Sequence, residues 1–322
     1  MQLCGRTYSR LFEMENVIIT GGSGFVGSNT VKYFLGQGCK VLSIDKTETG
    51  PFESEGLTHL RCDVFDTEEL KSKLPFGVYD TFIHFAWAGS AGTARMDYNL
   101  QMKNALMTVE CMKVAKEIGC KRFLCAGSIM EYEVESAVHA QGIHPGMSYI
   151  YGMGKYIAHC MCKSVAADIG IELVWPMITN AYGAGELSPR FVNTTLRKMI
   201  RGEPLQFTAA AQNYDFVYVT DVAKAFYLIA GNGKPFCEYM IGSGNARPLK
   251  EFILEMQRAL APDEVPLFGD VPFTGTNIPL STFDMSETEK DTGFKAEVSF
   301  VEGIRKTMEW LKERDREYGS EI

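Results

Sequence analysis

The sequence lacks several features, and each absence removes a class of function. No apolar run approaches the roughly 18 residues that cross a bilayer, so no membrane partner is expected. No run of lysines and arginines stands out. Lys and Arg total 32 against 40 Asp and Glu, giving a net charge of −8. That balance argues against a nucleic-acid partner. The five histidines show no ligand spacing, so no metal site is expected. His84 lies in an apolar strand and reads as a core residue. The nine cysteines are odd in number, and Cys160-x-Cys162 is not a CxxC redox pair. With no secretory signal, they read as reduced, mostly buried thiols of a cytoplasmic protein. Residues 1–13 precede Met14, where a compact domain naturally begins. They lack the apolar stretch of a signal peptide and read as an N-terminal extension.

What is present is a long alternation of short apolar runs and helical patterns. Strands are expected over 17–20, 40–45, 58–63, 81–87, 122–128 and 172–178. Helices are expected over 23–37, 95–118 and 148–169. Apolar strands separated by helices predict a parallel sheet covered on both faces. After Asn180 the alternation breaks down, glycines and prolines become frequent, and one strand (216–219) and two helices (221–230 and 301–313) are expected. The fold class is therefore α/β: a Rossmann-type doubly wound parallel sheet with a smaller C-terminal substrate lobe. The cofactor domain is placed at 14–178, with 215–236 returning to it, and the lobe at 179–322.

The first strand runs into Gly21-Gly22-Ser23-Gly24-Phe25-Val26-Gly27. Gly21 suits a tight turn, Gly24 admits a pyrophosphate close to the backbone, and Gly27 allows a helix to lie near the strand. The helix that follows presents free N–H groups and the positive end of its dipole. Asp45 ends the second strand, twenty-four residues after Gly21. A carboxylate there accepts from a ribose 2′-OH and repels a 2′-phosphate, which favours NAD; the adjacent Lys46 pulls partly toward NADP.

The Gly-x2-Gly-x2-Gly spacing resembles that of the extended short-chain dehydrogenase/reductase superfamily, and the resemblance runs along nearly the whole chain. Arg61-Cys62-Asp63-Val64 resembles the segment that contacts adenine, and Ile83-His84-Phe85-Ala86-Trp87 the strand end that passes under the cofactor. Asn104-Ala-Leu-Met107-Thr108 is similar to the family's Asn-x-x-Gly-Thr, with Met107 in place of glycine. Asn180-Ala-Tyr-Gly183, the stretch from Asp215 to Ala223 and the segment from Phe294 to Trp310 resemble the nucleotide-sugar epimerase/dehydratase branch. The resemblance implies NAD as cofactor, held by Gly21, Gly24, Phe25, Val26, Gly27, Asp45, Asp63, Val64, Phe85, Ala86, Asn104, Tyr151 and Lys155. It also implies a nucleoside-diphosphate sugar as substrate and a homodimer formed through helices 95–118 and 148–169.

Tyr151 and Lys155 stand at i and i+4, so they share one helix face, and Ser128 ends the fifth strand. An ammonium beside a phenol favours the phenolate. Tyr151 then takes a proton from a sugar hydroxyl or returns one to a developing alkoxide, while Ser128 hydrogen-bonds the same oxygen. For the substrate, the resemblance implicates Ser128, Asn180, Phe207 as a stacking aromatic, and Trp87, which either faces the sugar or packs in the core.

Two departures stand out. Tyr214 occupies the place of a phosphate-binding arginine, leaving Arg190 or Arg247 as substitutes. Ile129 and Met130 occupy the acid and base positions of the 4,6-dehydratases, and Glu131 is expected to point away from the site along an extended segment. The favoured reading is hydride chemistry at C4 of a nucleotide hexose, as an epimerase or 4-ketoreductase. The alternatives are a non-catalytic dinucleotide sensor, or a dehydratase with relocated acid and base from Glu131 or from loop carboxylates such as Glu133 and Glu186.

Overall fold

The computed structural model describes residues 14–142, 144–269, 271 and 275–318; the N-terminal extension lies outside them. The first half runs β1 (Asn16–Thr20), α1 (Phe25–Gly36), β2 (Lys40–Asp45), β3 (Leu57–Arg61), α2 (Thr67–Lys73), β4 (Thr81–His84), α3 (Tyr98–Glu117), β5 (Arg122–Cys125), β6 (Gly127–Ser128), α4 (Met130–His139), α5 (Tyr149–Ile169) and β7 (Glu172–Ile178). Then follow β8 (Asn180–Tyr182), α6 (Phe191–Arg201), β9 (Gln206–Phe207), β10 (Asn213–Tyr214), β11 (Phe216–Tyr218) and α7 (Val219–Asn232). The chain closes with β12 (Glu238–Ile241), β13 (Arg247–Pro248), α8 (Leu249–Leu260), β14 (Leu267–Phe268), α9 (Ser286–Thr292) and α10 (Phe300–Tyr318).

The main sheet has the order β12-β7-β5-β4-β1-β2-β3, with β6 continuing along β7, and its pairings are parallel. The strands are apolar on both faces because both are covered. On one side Phe82 and Phe123 meet α2, α3 and α5. On the other Ile19, Ile83 and Leu124 meet Val31 and Phe34 of α1 and Phe226 and Ile229 of α7. His84 is buried on the first side, stacked on Phe123 and bonded to the Thr20 hydroxyl at 2.8 Å, and burial lowers its pKa to about 3.

The strand order reverses between β1 and β4. In open α/β sheets that crevice, at the carboxyl ends of the strands, is where ligands bind. Residues 216–232 pack against the sheet through α7, and β12 adds a further edge strand beside β7. Strand β12, at 238–241, lies in the sheet beyond the 215–236 stretch expected to return to it. The lobe has its own core of Val192, Leu196, Phe216, Phe252, Ile304 and Leu311, where α6, α8 and α10 meet. Asp221 joins the two parts by accepting from the backbone N–H groups of Glu297 (3.1 Å) and Val298 (2.9 Å).

Candidate active site

Two cavities open above the strand ends. The first, about 560 Å³, is lined by the glycine loop, Asp45, Lys46, Asp63, Val64, Phe85, Ala86, Trp87 and Lys155. The second, about 590 Å³, lies under the lobe and includes Arg95, Glu133, Tyr149, Asn180, Phe207 and Tyr214. Ser128 and Tyr151 line both, as does Arg190; Lys155 faces only the first. Two of the three catalytic candidates, Ser128 and Tyr151, therefore stand in the shared wall.

The first cavity is shaped by backbone. Gly21 has φ +71°, and a Cβ there would lie 2.7 Å from the Ala86 nitrogen. A Cβ on Gly27 would lie 2.1 Å from the Gly21 carbonyl oxygen. Helix α1 starts at Gly24 with no side-chain cap and no acidic residue in its first turn. Its N-terminal amides and dipole remain free for an anion. Asp45 accepts from the Ser23 N–H at 3.1 Å, which ties the second strand end to the loop. This uncapped, glycine-walled cleft fits a dinucleotide pyrophosphate.

Lys155 is buried, donates to the Ala126 carbonyl at 2.8 Å, and lies 3.6 Å from the centre of the Trp87 ring. The Trp87 indole N–H bonds Gln101 Oε1 at 2.7 Å, and its ring meets Tyr151 edge-on. Trp87 thus lines the cleft of Lys155 and not the second cavity. Asn104 lies off both linings. It is buried and clamps Ala88, accepting from its N–H at 2.9 Å and donating to its carbonyl at 2.8 Å. Its place is behind the β4 loop, holding that loop in shape, and not at the cofactor cleft where the resemblance put it. Arg247 is off both cavities too, paired with Glu255 and set against Phe252.

The segment after Ser128 is helical, not extended. Glu131 enters α4 and turns inward, where it is buried. It accepts from the Ser128 N–H at 2.9 Å, the Trp175 indole N–H at 3.2 Å and His159 Nδ1 at 3.0 Å. It backs Ser128 from behind and is fully engaged there. Glu133, one helical step on, faces the second cavity from α4 and not from a loop. Burial pushes its carboxyl up to about 7, against the opposing pull of Arg95. Arg95 itself lies 4.5 Å from the Tyr151 ring centre. The sequence offers Glu133 only as a loop carboxylate for a relocated dehydratase, and Arg95 not at all. The acidic first turn Met130-Glu131-Tyr132-Glu133 was a helix-start signal, but a lone arginine before a helix carries none.

The fold and this shared wall define an α/β enzyme with a dinucleotide cleft beside a substrate cavity. Residues 17–242 match the NAD dependent epimerase/dehydratase family, and the chain belongs to that family. It is therefore an enzyme, and its cofactor is NAD. A "Probable dTDP-glucose 4,6-dehydratase" of Sinorhizobium fredii is 25% identical over 344 residues, covering 95% of this chain and 97% of that protein. UDP-glucose 4-epimerase GEPI48 of Cyamopsis tetragonoloba is 23% identical, covering 95% and 97%. The UDP-N-acetylglucosamine 4-epimerase of Methanobrevibacter ruminantium superposes with a TM-score of 0.78 at 22% identity, over 94% of this chain and 99% of that one. Among the described residues no helix is long and apolar enough to cross a membrane.

Proposed function

We propose that the chain acts at C4 of a nucleoside-diphosphate hexose, as an epimerase or a 4-ketoreductase. The observation that carries this reading is the placement of Ser128 and Tyr151 in the wall between the two cavities. Bound NAD supplies the chemistry of a hydride acceptor or, when reduced, a donor. Gly21, Gly24, Phe25, Val26 and Gly27 would hold its pyrophosphate, Asp45 its ribose hydroxyl, and Asp63 and Val64 its adenine. Phe85, Ala86 and Lys155 would line its nicotinamide half. Tyr151 moves the proton of the C4 oxygen, and Ser128 donates a hydrogen bond to that oxygen. Asn180 and Phe207 serve the nucleotide side, and Arg190 is the cation that can reach the diphosphate from the shared wall.

The test is incubation with UDP-, dTDP-, GDP- and CDP-hexoses. Interconversion of C4 epimers, or consumption of NADH with a 4-keto sugar, is expected. Steady formation of a 4-keto-6-deoxy sugar would overturn the reading and favour a second one, a 4,6-dehydratase. The observation behind that second reading is Glu133, a cavity-facing carboxyl held near neutral titration.

The reading includes a homodimer. Tyr98, Met102 and Leu106 recur every fourth residue on α3 and are 61%, 48% and 57% exposed, a stripe that a second copy would cover. Sedimentation at micromolar concentration should give the mass of two chains. A cytoplasmic location rests on the free cysteines, of which Cys39, Cys62, Cys111, Cys120, Cys125 and Cys162 are buried.

A further inference from the structure

Arg95 stands in a short 3-10 turn, Thr93–Met96, between β4 and α3. Its guanidinium stacks on the ring of Tyr151 and lines the second cavity. Its bonding is incomplete. The Nε is buried without an acceptor, and the Nη2 meets only the Met130 sulfur, a weak acceptor. Among the described residues, Arg95 has no ion pair. The other cavity arginine differs: Arg190 has Glu186 at 3.6 Å. Burial lowers the pKa of Arg95, the mark of a cation stripped of water. A desolvated guanidinium with open donors is an expensive arrangement until an anion meets it.

We infer that Arg95 is a specificity residue that receives an anionic substituent on the sugar ring beside the reacting carbon, so that the substrate is a nucleoside-diphosphate hexuronic acid. The inference rests on the C4 reading above. Arg95 stacks on the residue that exchanges the proton at C4, and the C6 carboxylate of a hexuronic acid is carried by the neighbouring ring carbon. A guanidinium fork matches a carboxylate with two parallel hydrogen bonds. Glu133 completes the receptor. Arg95 is the charged group acting on it, and Tyr214 and Tyr149 line the same cavity, Tyr214 feeling the Glu133 charge in turn. With its carboxyl pushed up to about 7, Glu133 in its protonated form donates a hydrogen bond to the incoming carboxylate and does not repel it. A hexuronic acid also has no C6 hydroxyl to eliminate, which agrees with Ile129 and Met130 standing where a dehydratase needs an acid and a base.

The experiment is calorimetry on the full chain with NAD present, using matched pairs of ligands. UDP-, dTDP-, GDP- and CDP-glucuronic acid are compared with the glucose forms on the same bases. For the base that binds best, the acid is expected to bind about 10-fold tighter or more. Arg95→Met should bring the two affinities within about 2-fold of each other, and Arg95→Lys should keep part of the preference. The ratio within one variant is independent of how much of it folds, since both ligands meet the same folded fraction. Binding of the bare nucleoside diphosphate should be unchanged in Arg95→Met. If that binding falls with the acid's, the guanidinium serves the diphosphate and the inference is overturned. Sugars that bind without preference for the acid overturn the inference alone. Failure of every pair to bind overturns it together with the C4 reading.

Discussion

The two cavities share a wall but are built differently. The cofactor cleft is made at the ends of β1 to β7 and along α5, and its glycine-loop side is shaped by backbone: glycines, helix N–H groups and strand ends. The substrate cavity gathers side chains from a 3-10 turn, α4, α5, β8, α6 and β9 to β11, so side-chain identity decides what it accepts. One region recognises a ligand common to a family. The other can change what it accepts while the sheet stays fixed, because its residues sit on several separate elements, some beside the sheet and some in the lobe.

The comparison is sharpened most by Tyr151→Phe. The ring stays, so its contacts with Arg95 and Trp87 survive, and only the proton-carrying oxygen is lost. Turnover should fall by about 10²–10⁴-fold, with NADH affinity by fluorescence titration nearly unchanged. Retention of more than about a tenth of the rate removes Tyr151 from its role.

Glu131→Leu tests the support behind the shared wall. It orphans the Ser128 N–H and the Trp175 indole N–H and takes the partner from His159 Nδ1, leaving only Glu238 near its Nε2 at 3.7 Å. A loss of about 3 kcal/mol in urea unfolding is expected, whereas Glu131→Gln, which keeps an acceptor, should lose much less. Equal losses would mean the pocket depends on the charge and not on the acceptors.

Gly27→Ala probes the backbone-built side. The added Cβ would press on the Gly21 carbonyl oxygen at 2.1 Å and on the Gly22 Cα at 3.0 Å, both backbone. Overpacking of about 1–3 kcal/mol in thermal unfolding should come with weaker NAD binding. A variant as stable and as tight as the parent would show that the cleft has slack.

Glu133→Gln is read through pH. The Glu133 carboxyl titrates near 7 in the fold against 4.5 ordinarily. The folded state therefore holds its proton more strongly than the unfolded state. The associated stability is full below about 4.5 and is lost as pH rises to about 7. Glutamine does not titrate, so its stability relative to the parent should climb across that window and level off above it, by at most about 3 kcal/mol. A difference flat in pH would mean that Glu133 is solvated.

The cleft was legible because its signals are local. A glycine loop between a strand and a helix, an aspartate at the next strand end, and a tyrosine and lysine one helical turn apart are short-range patterns that fix backbone shape. The misplacements came where contacts are long-range. Glu131 sits three residues from Ser128, yet its role depends on Trp175 and His159, contributed by β7 and α5. Asn104 lies in a motif that resembles cofactor contacts, but its amide is spent on Ala88. Strand β12 carries only four residues, too few for a periodic signal, and joins the sheet because the β7 edge lies open beside it.

By itself the sequence determined the parallel sheet and the glycine loop at the end of its first strand, and it offered Ser128, Tyr151 and Lys155 as the candidate set, since periodicity, turn chemistry and helical spacing act within a few residues. Only the tertiary structure decided that Arg95 lies on Tyr151 with its donors open, that Glu133 faces the same cavity, and that Glu131 is sealed behind Ser128. Those outcomes depend on which side chains meet, and are desolvated together, when elements far apart in the chain close on one another.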